Sequence, residues 1–157
     1  MPDICPMLWF DDQAEAAAAF YVSVFPNSRI LRTARRPDHS PGGPVGGVML
    51  VEFELDGKRY SALNGGPMFK FTEAVSLVIE CQDQAEIDRY WAALTAGGGV
   101  ESQCGWLKDK FGLSWQVVPA LIPKLMSEDP ARAGKAMAAV MTMSKLDLAA
   151  IEAAAVA

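Results

Sequence analysis

Few residues in this chain carry obvious chemistry, and their spacing decides between reactive and structural roles. The sequence holds three cysteines and one histidine. Cys5, Cys81 and Cys104 are widely separated and odd in number, which argues against both a disulfide framework and a CxxC metal or redox motif. Cys5 is a candidate nucleophile by type, but no base lies near it in sequence, so a structural thiol is the expected role for all three. His39 sits in a proline- and glycine-rich stretch, where a surface residue or a lid residue touching a ligand is the choice. Glu73 and Glu80 flank one strand as solvated ends or general bases. Arg29, Arg32, Arg35 and Arg36 form the one dense basic cluster and read as a solvated face, with recognition of an acid as the alternative.

Around these residues the chain is a single-domain length of 157 residues, 51% hydrophobic, enough to bury a core without staples. A formal charge of −5 and a pI near 4.8 leave no electrostatic footprint for a phosphate backbone, so no nucleic-acid partner is expected. No apolar run approaches the roughly 20 residues that span a bilayer, and the start, Met1 to Pro6, lacks a basic leader and apolar core. A cytoplasmic location and no membrane partner follow as expectations.

The elements that must position these groups repeat. A strand over residues 4–10 leads into a helix over 12–25, opened by an Asp12-x-x-Glu15 capping box and carrying Ala17, Phe20, Tyr21 and Val24 as its apolar stripe. The same order returns with Val75 to Cys81, the Asp83 and Glu86 cap, and Ile87, Tyr90, Trp91 and Leu94, ending at Gly97-Gly98-Gly99. Antiparallel strands follow each helix: 28–36, then 51–55 and 60–64 about the Asp56-Gly57 turn, and in the second half 101–104, 106–108 and 113–118 about Asp109 to Gly112. The expected class is α+β, with two βαβββ modules over about 3–66 and 72–118. Pro37 to Gly47 reads as a mobile surface loop that could serve as a lid. A helical tail over about 120–155 has a short first helix, a second opening at Asp129-Pro130 and a last one boxed by Ser144 and Asp147. Its methionines and alanines read as core or dimer packing.

Specific segments give these elements a family likeness. Phe20-Tyr21 before Phe25-Pro26-Asn27-Ser28, Leu63-Asn64-Gly65-Gly66-Pro67, Phe71 to Ser76 and Phe111-Gly112-Leu113-Ser114-Trp115-Gln116 resemble the vicinal oxygen chelate (glyoxalase and bleomycin-resistance) superfamily. The likeness is to its PhnB-like branch, often named 3-demethylubiquinone-9 3-methyltransferase. It runs over about residues 3 to 155. It implies one domain whose two modules form a curved, half-open barrel around a pocket, usually in a homodimer.

The resemblance also implies where metal ligands would stand, on the first and last strands of each module. Counted back from Asp12 and Asp83, the first-strand positions fall on Cys5 and Ser76. Counted forward from Gly112, the last-strand position falls on Gln116, with Asn64 as the counterpart in module one. Zn²⁺, Fe²⁺ and Ni²⁺ are held by imidazole or carboxylate, and this set supplies neither, so no metal is expected and the cofactor stays open. Trp9, Phe71, Trp106 and Trp115 join the four polar residues as pocket candidates, with the core as their alternative place. A methyltransferase of the nucleotide-binding kind needs a glycine-rich turn after a parallel strand, whereas Gly97 to Gly99 follow a helix and Gly42-Gly43 lie in a loop. The readings that follow are a metal-free binder of an aromatic or hydrophobic small molecule, or an enzyme on the same scaffold; no catalytic residue is assigned.

Overall fold

The computed structural model describes residues 1–157, which divide into two compact units, 1–71 and 72–157. In the first, β1 (Met7–Phe10), α1 (Ala14–Val24), β2 (Arg29–Arg35), β3 (Val48–Leu55) and β4 (Lys58–Asn64) form a sheet of order β1-β4-β3-β2, with β1 parallel to β4 and the other pairs antiparallel. In the second, β5 (Ser76–Cys81), α2 (Gln84–Thr95), β6 (Val100–Glu101), β7 (Trp106–Lys108) and β8 (Ser114–Pro119) repeat the plan as β5-β8-β7-β6. The expected βαβββ duplication is therefore present, as two mixed sheets in an α+β chain. No helix is long and apolar enough to cross a membrane.

Alternation along the strands assigns each sheet a helix-covered and an open face. In the first unit Leu8, Phe10, Val51, Phe53 and Ala62 are buried with Ala14, Ala17, Ala18 and Tyr21 of α1, which packs on β3 and β4. The alanines let the helix lie close to the sheet. In the second, Leu107, Trp115 and Val117 are buried with Ile87, Tyr90, Trp91 and Leu94 of α2. The β3–β4 hairpin turns on Asp56 and Gly57, both at positive φ (50° and 75°), as a two-residue type I′ turn requires.

Several boundaries differ from expectation, each for a local reason. β1 begins at Met7, not residue 4, because Pro6 has no N–H to donate to a ladder; its carbonyl still accepts from Ser61 N at 3.0 Å. Cys5 therefore precedes the strand. The first helix is not capped by Asp12: its N-cap is Gln13, without a side-chain bond, and the Ala14 amide donates at 2.8 Å to Asn64 Oδ1, brought there from the end of β4. Asp83 does cap α2, accepting from Glu86 N at 2.9 Å, while Glu86 reaches back to Gln82 N. β6 stops at Glu101, since the chain turns through Cys104 and Gly105 at positive φ.

Arg36 overturns the solvated reading of the basic cluster at that one position. It is 3% exposed, and its guanidinium donates to the carbonyls of Pro41 and, at 2.6 Å, Asn64. Its backbone N–H bonds Gly47 O and its carbonyl accepts from Gly46 N. The stretch expected as a mobile loop is thus wrapped around a buried arginine, with Gly42 and Gly43 so close that a Cβ at either would sit 3.2 Å from guanidinium nitrogens.

The tail forms α3 (Leu121–Glu128), α4 (Pro130–Val140) and α5 (Leu148–Val156), whose buried Ile122, Leu125, Ala136, Val140, Ile151 and Ala155 share a cluster with Leu146. Asp129 and Asp147 cap the last two helices. Ser144 has another task, its carbonyl accepting from Gly105 N at 2.8 Å, so the tail is tied to the turn before β7. Gln84 at the start of α2 adds two bonds, to Leu146 O and from Leu148 N.

If Asn64 is the working cap of α1, Asn64→Ala should lower unfolding free energy by about 2 kcal/mol, since two buried backbone groups lose partners. Asp12→Ala should stay within about 0.5 kcal/mol of wild type, as exposed substitutions do. Urea unfolding of the two variants checks both values, and the reverse order would restore Asp12 as the cap.

Candidate functional site

The open face of the first sheet is organised as rows across the strands. One row runs Arg32, Glu52, Ser61 and Met7; the next joins Arg29, Glu54 and Arg59. Cross-strand ion pairs fill them, Arg32 to Glu52 at 2.6 Å and Arg29 to Glu54 at 3.0 Å, so two arginines of the basic cluster are exposed but paired. Arg35 donates to Gly46 O at 3.2 Å. Cys5, half-buried, lies against this face: its Sγ is 3.9 Å from Ser61 Oγ and accepts from Arg59 Nη2 at 3.6 Å. Arg59 also pairs with Asp3 at 2.5 Å; that carboxylate, then the Cys5 bond, raise the guanidinium pKa further above its usual value.

The open face of the second sheet carries Ser76 beside Ser114 beside Lys108, and Val78 beside Gln116 beside Trp106. Gln116 Nε2 donates to Ser76 Oγ at 3.0 Å, so two of the expected pocket residues are brought together. Lys108 pairs with Glu73, and its bond holds the Glu73 carboxyl below the usual carboxylate range. Glu73 is accordingly a paired strand-end residue, and Glu80 is exposed at the far end of β5.

Register corrects the module-one counterpart of Gln116. Phe10 pairs with Asn64 and Cys81 with Pro119 at the strand ends, while Met7 pairs with Ser61 and Val78 with Gln116 further back. Ser61, buried at 3% exposure, therefore occupies the place of Gln116, and the duplicated pairs are Cys5 with Ser61 and Ser76 with Gln116. The sequence carried this signal: the count from Gly112 to Gln116, applied to Gly57, lands on Ser61. Asn64 instead spends its side chain on Ala14 N and, at 2.9 Å, Val48 O.

The aromatic candidates divide. Trp115 is 3% exposed and donates its indole N–H at 2.8 Å to Asp109 Oδ2, facing the helix-covered side. Asp109, itself buried, also accepts from Phe111 N and Leu113 N, which makes it the organiser of the β7–β8 turn. Trp9 donates to Gly66 O at 2.9 Å and lies on Gly65, where a Cβ would come within 2.4 Å of the ring. Phe71 packs edge-on against the core residue Phe10 at 5.2 Å. Trp106 remains half-buried on the open face next to Gln116. His39, at φ 64°, is exposed in the Arg36-anchored loop. Cys104 is half-buried, its Sγ 3.5 Å from Met141 Sδ.

Two sheets of order 1-4-3-2, each from one βαβββ unit, define the class as the glyoxalase and bleomycin-resistance fold of the vicinal oxygen chelate superfamily. The chain belongs to the family described as 3-demethylubiquinone-9 3-methyltransferase, the PhnB-like branch, whose sequence pattern matches residues 2–118. A PhnB protein from Bacillus cereus, described as a putative 3-demethylubiquinone-9 3-methyltransferase, is 32% identical, with 76% of this chain and 100% of that one aligned and a TM-score of 0.68. Protein PA1353 of Pseudomonas aeruginosa shares the fold at 19% identity, 76% and 98% coverage and TM-score 0.58. The fosfomycin resistance protein FosX of Listeria monocytogenes, solved with Mn(II) and sulfate, does so at 14%, 80% and 96%, and 0.54. No curated protein matches in sequence. Residues after 118, which include the three tail helices, lie outside the family match.

Burial pushes the Cys81 thiol pKa up to about 12, so at about pH 8.5, near an ordinary thiol's pKa, it stays protonated and unreactive. Iodoacetamide at that pH, read by mass spectrometry, should label the half-buried Cys5 and Cys104 and spare Cys81 until urea is added. Native labelling of Cys81 would contradict its buried assignment.

Proposed function

We propose that this chain binds a small molecule at the open faces of its sheets and does so without a bound metal ion. The observation that carries the reading is the donor set at the duplicated positions. Cys5, Ser61, Ser76 and Gln116 include no imidazole and no carboxylate, and each pair is turned inward on a cross-strand contact. Hard and borderline divalent ions are held by oxygen anions and imidazoles, and thiolate sites need several cysteines. Glu52, the nearest carboxylate in register with Ser61, is engaged by Arg32. The residues present therefore do not fit the metal of the superfamily.

Methyl transfer, which the family's name suggests, finds little support in the residues. Each sheet has a single parallel pair, and the turns that follow β1 and β5 are Asp11-Asp12-Gln13 and Gln82-Asp83, not the glycine-rich turn that cradles a nucleotide-bearing cofactor. An enzyme acting by pocket electrostatics on this scaffold is the second reading, favoured by the Arg59 N–H donated to Cys5 Sγ. A homodimer in the cytoplasm completes the proposal; the edge position of β1 and β5 in their sheets favours assembly.

Elemental analysis of the purified, untagged chain, with thermal-shift titration of Zn²⁺, Ni²⁺, Fe²⁺ and Mn²⁺, tests the reading. The expected result is metal far below one equivalent and no shift, with light scattering giving a dimer of the 16.9 kDa chain. About one metal per chain, lost in Cys5→Ala or Gln116→Ala, would overturn it.

A further inference from the structure

Two buried side-chain polar atoms lack a partner, Arg36 Nε and Ser114 Oγ; the other two guanidinium nitrogens of Arg36 are bonded, whereas Ser114 has no side-chain bond at all. It is 1% exposed, and its hydroxyl has no hydrogen-bond partner, although buried polar atoms are almost always satisfied. An alanine or valine would fill the position without that cost. Its register fixes where the hydroxyl belongs. Ser114 pairs with Ser76 on one side and Lys108 on the other, so it stands on the open face with Gln116 and Trp106, opposite the buried Trp115 and Val117.

The hydrogen-bonding capacity of this face is lopsided. Ser76 Oγ already accepts the Gln116 amide, which leaves its own O–H to donate outward. Ser114 adds a second hydroxyl beside it. The next position in that row is the Lys108 ammonium, and its one acid partner, Glu73, precedes the strand. No carboxylate stands in register with either Ser114 or Gln116. Adjacent strands are about 4.8 Å apart, so two neighbouring hydroxyls can converge on the two oxygens of one carboxylate. The half-buried Trp106, beside Gln116, offers a flat apolar surface next to that point.

We propose that the open face of the second sheet recognises an aromatic carboxylate, whose oxygens accept from Ser114 and Ser76 while its ring lies against Trp106. This rests on the metal-free binding reading and goes beyond it by naming the ligand class. Ser114 is then kept for binding at a cost to folding, a trade common at functional sites.

The test is titration of the full chain with 2-naphthoate and its neutral isostere 2-naphthamide, followed by NMR on the tryptophan indole N–H signals. The expected result is a saturable shift at Trp106 with naphthoate and a much weaker one with naphthamide. Ser114→Ala should weaken naphthoate binding by about tenfold or more, the loss of one hydrogen bond to a charged group, with its Tm unchanged or raised. A fall in Tm with affinity unchanged would make Ser114 structural and overturn the proposal. Equal binding of naphthamide, or a shift confined to other tryptophans, would also overturn it while leaving a metal-free binder in place. Absence of any binding overturns it too, whereas the metal reading stands or falls separately on elemental analysis.

Discussion

The first unit is organised by one asparagine. Asn64 ends β4, yet its side-chain oxygen takes the first amide of α1 and its side-chain nitrogen donates to the carbonyl of Val48 at the start of β3. Its backbone carbonyl accepts from the buried Arg36, which gathers the 37–47 segment through Pro41, Gly46 and Gly47. Helix, sheet and loop thus meet at one residue that is 8% exposed. A buried guanidinium with no carboxylate partner is expensive, and backbone carbonyls arranged about it are what make the position tolerable. Trp9 closes the same corner, lying on Gly65 and bonded to the Gly66 carbonyl, so the first glycine after Asn64 is demanded by contact with a ring and the second by its φ of 93°.

The second unit reaches a similar end by other means. Asp109 receives two turn amides and the Trp115 indole, fixing the β7–β8 turn and the aromatic centre of its core together. Both units leave a polar open face beneath which strand register, not loop placement, sets the neighbours. That is why the pairs recur: the same register brings Cys5, two residues before Met7, against Ser61 of β4, and Ser76, two residues before Val78, against Gln116 of β8. The helical tail, outside the family match, adds a separate apolar cluster tied to the Cys104-Gly105 turn and to Gln84.

The duplicated βαβββ order, the Asp56-Gly57 hairpin, the Asp83 cap and the Asp129-Pro130 helix start were legible because each rests on local chemistry: periodicity, a capping side chain or a turn residue. What escaped depended on distant residues. Asp12 looks like a cap, but a residue from β4 took that role. Arg36 looks like part of a solvated cluster, and only the folded loop reveals that it is enclosed. Counting along a family pattern pointed to Ser76 and Gln116, which the structure brings into contact with each other, and the same count applied to Gly57 lands on Ser61 in place of Asn64. Ser114 had no signal of its own, since a serine in a strand is unremarkable until its partners are known to be missing.

In the proposed function the two duplicated pairs act as hydrogen-bonding groups toward a ligand and do not hold an ion. Paramagnetic broadening by Mn²⁺ addresses it most directly, read at the Gln116 side-chain amide in the NMR spectrum of the full chain. With no ion held there, the Gln116 signal broadens no more than those of other half-buried amides as Mn²⁺ is added. Selective loss of the Gln116 signal at low Mn²⁺, reversed by a chelator, would contradict it.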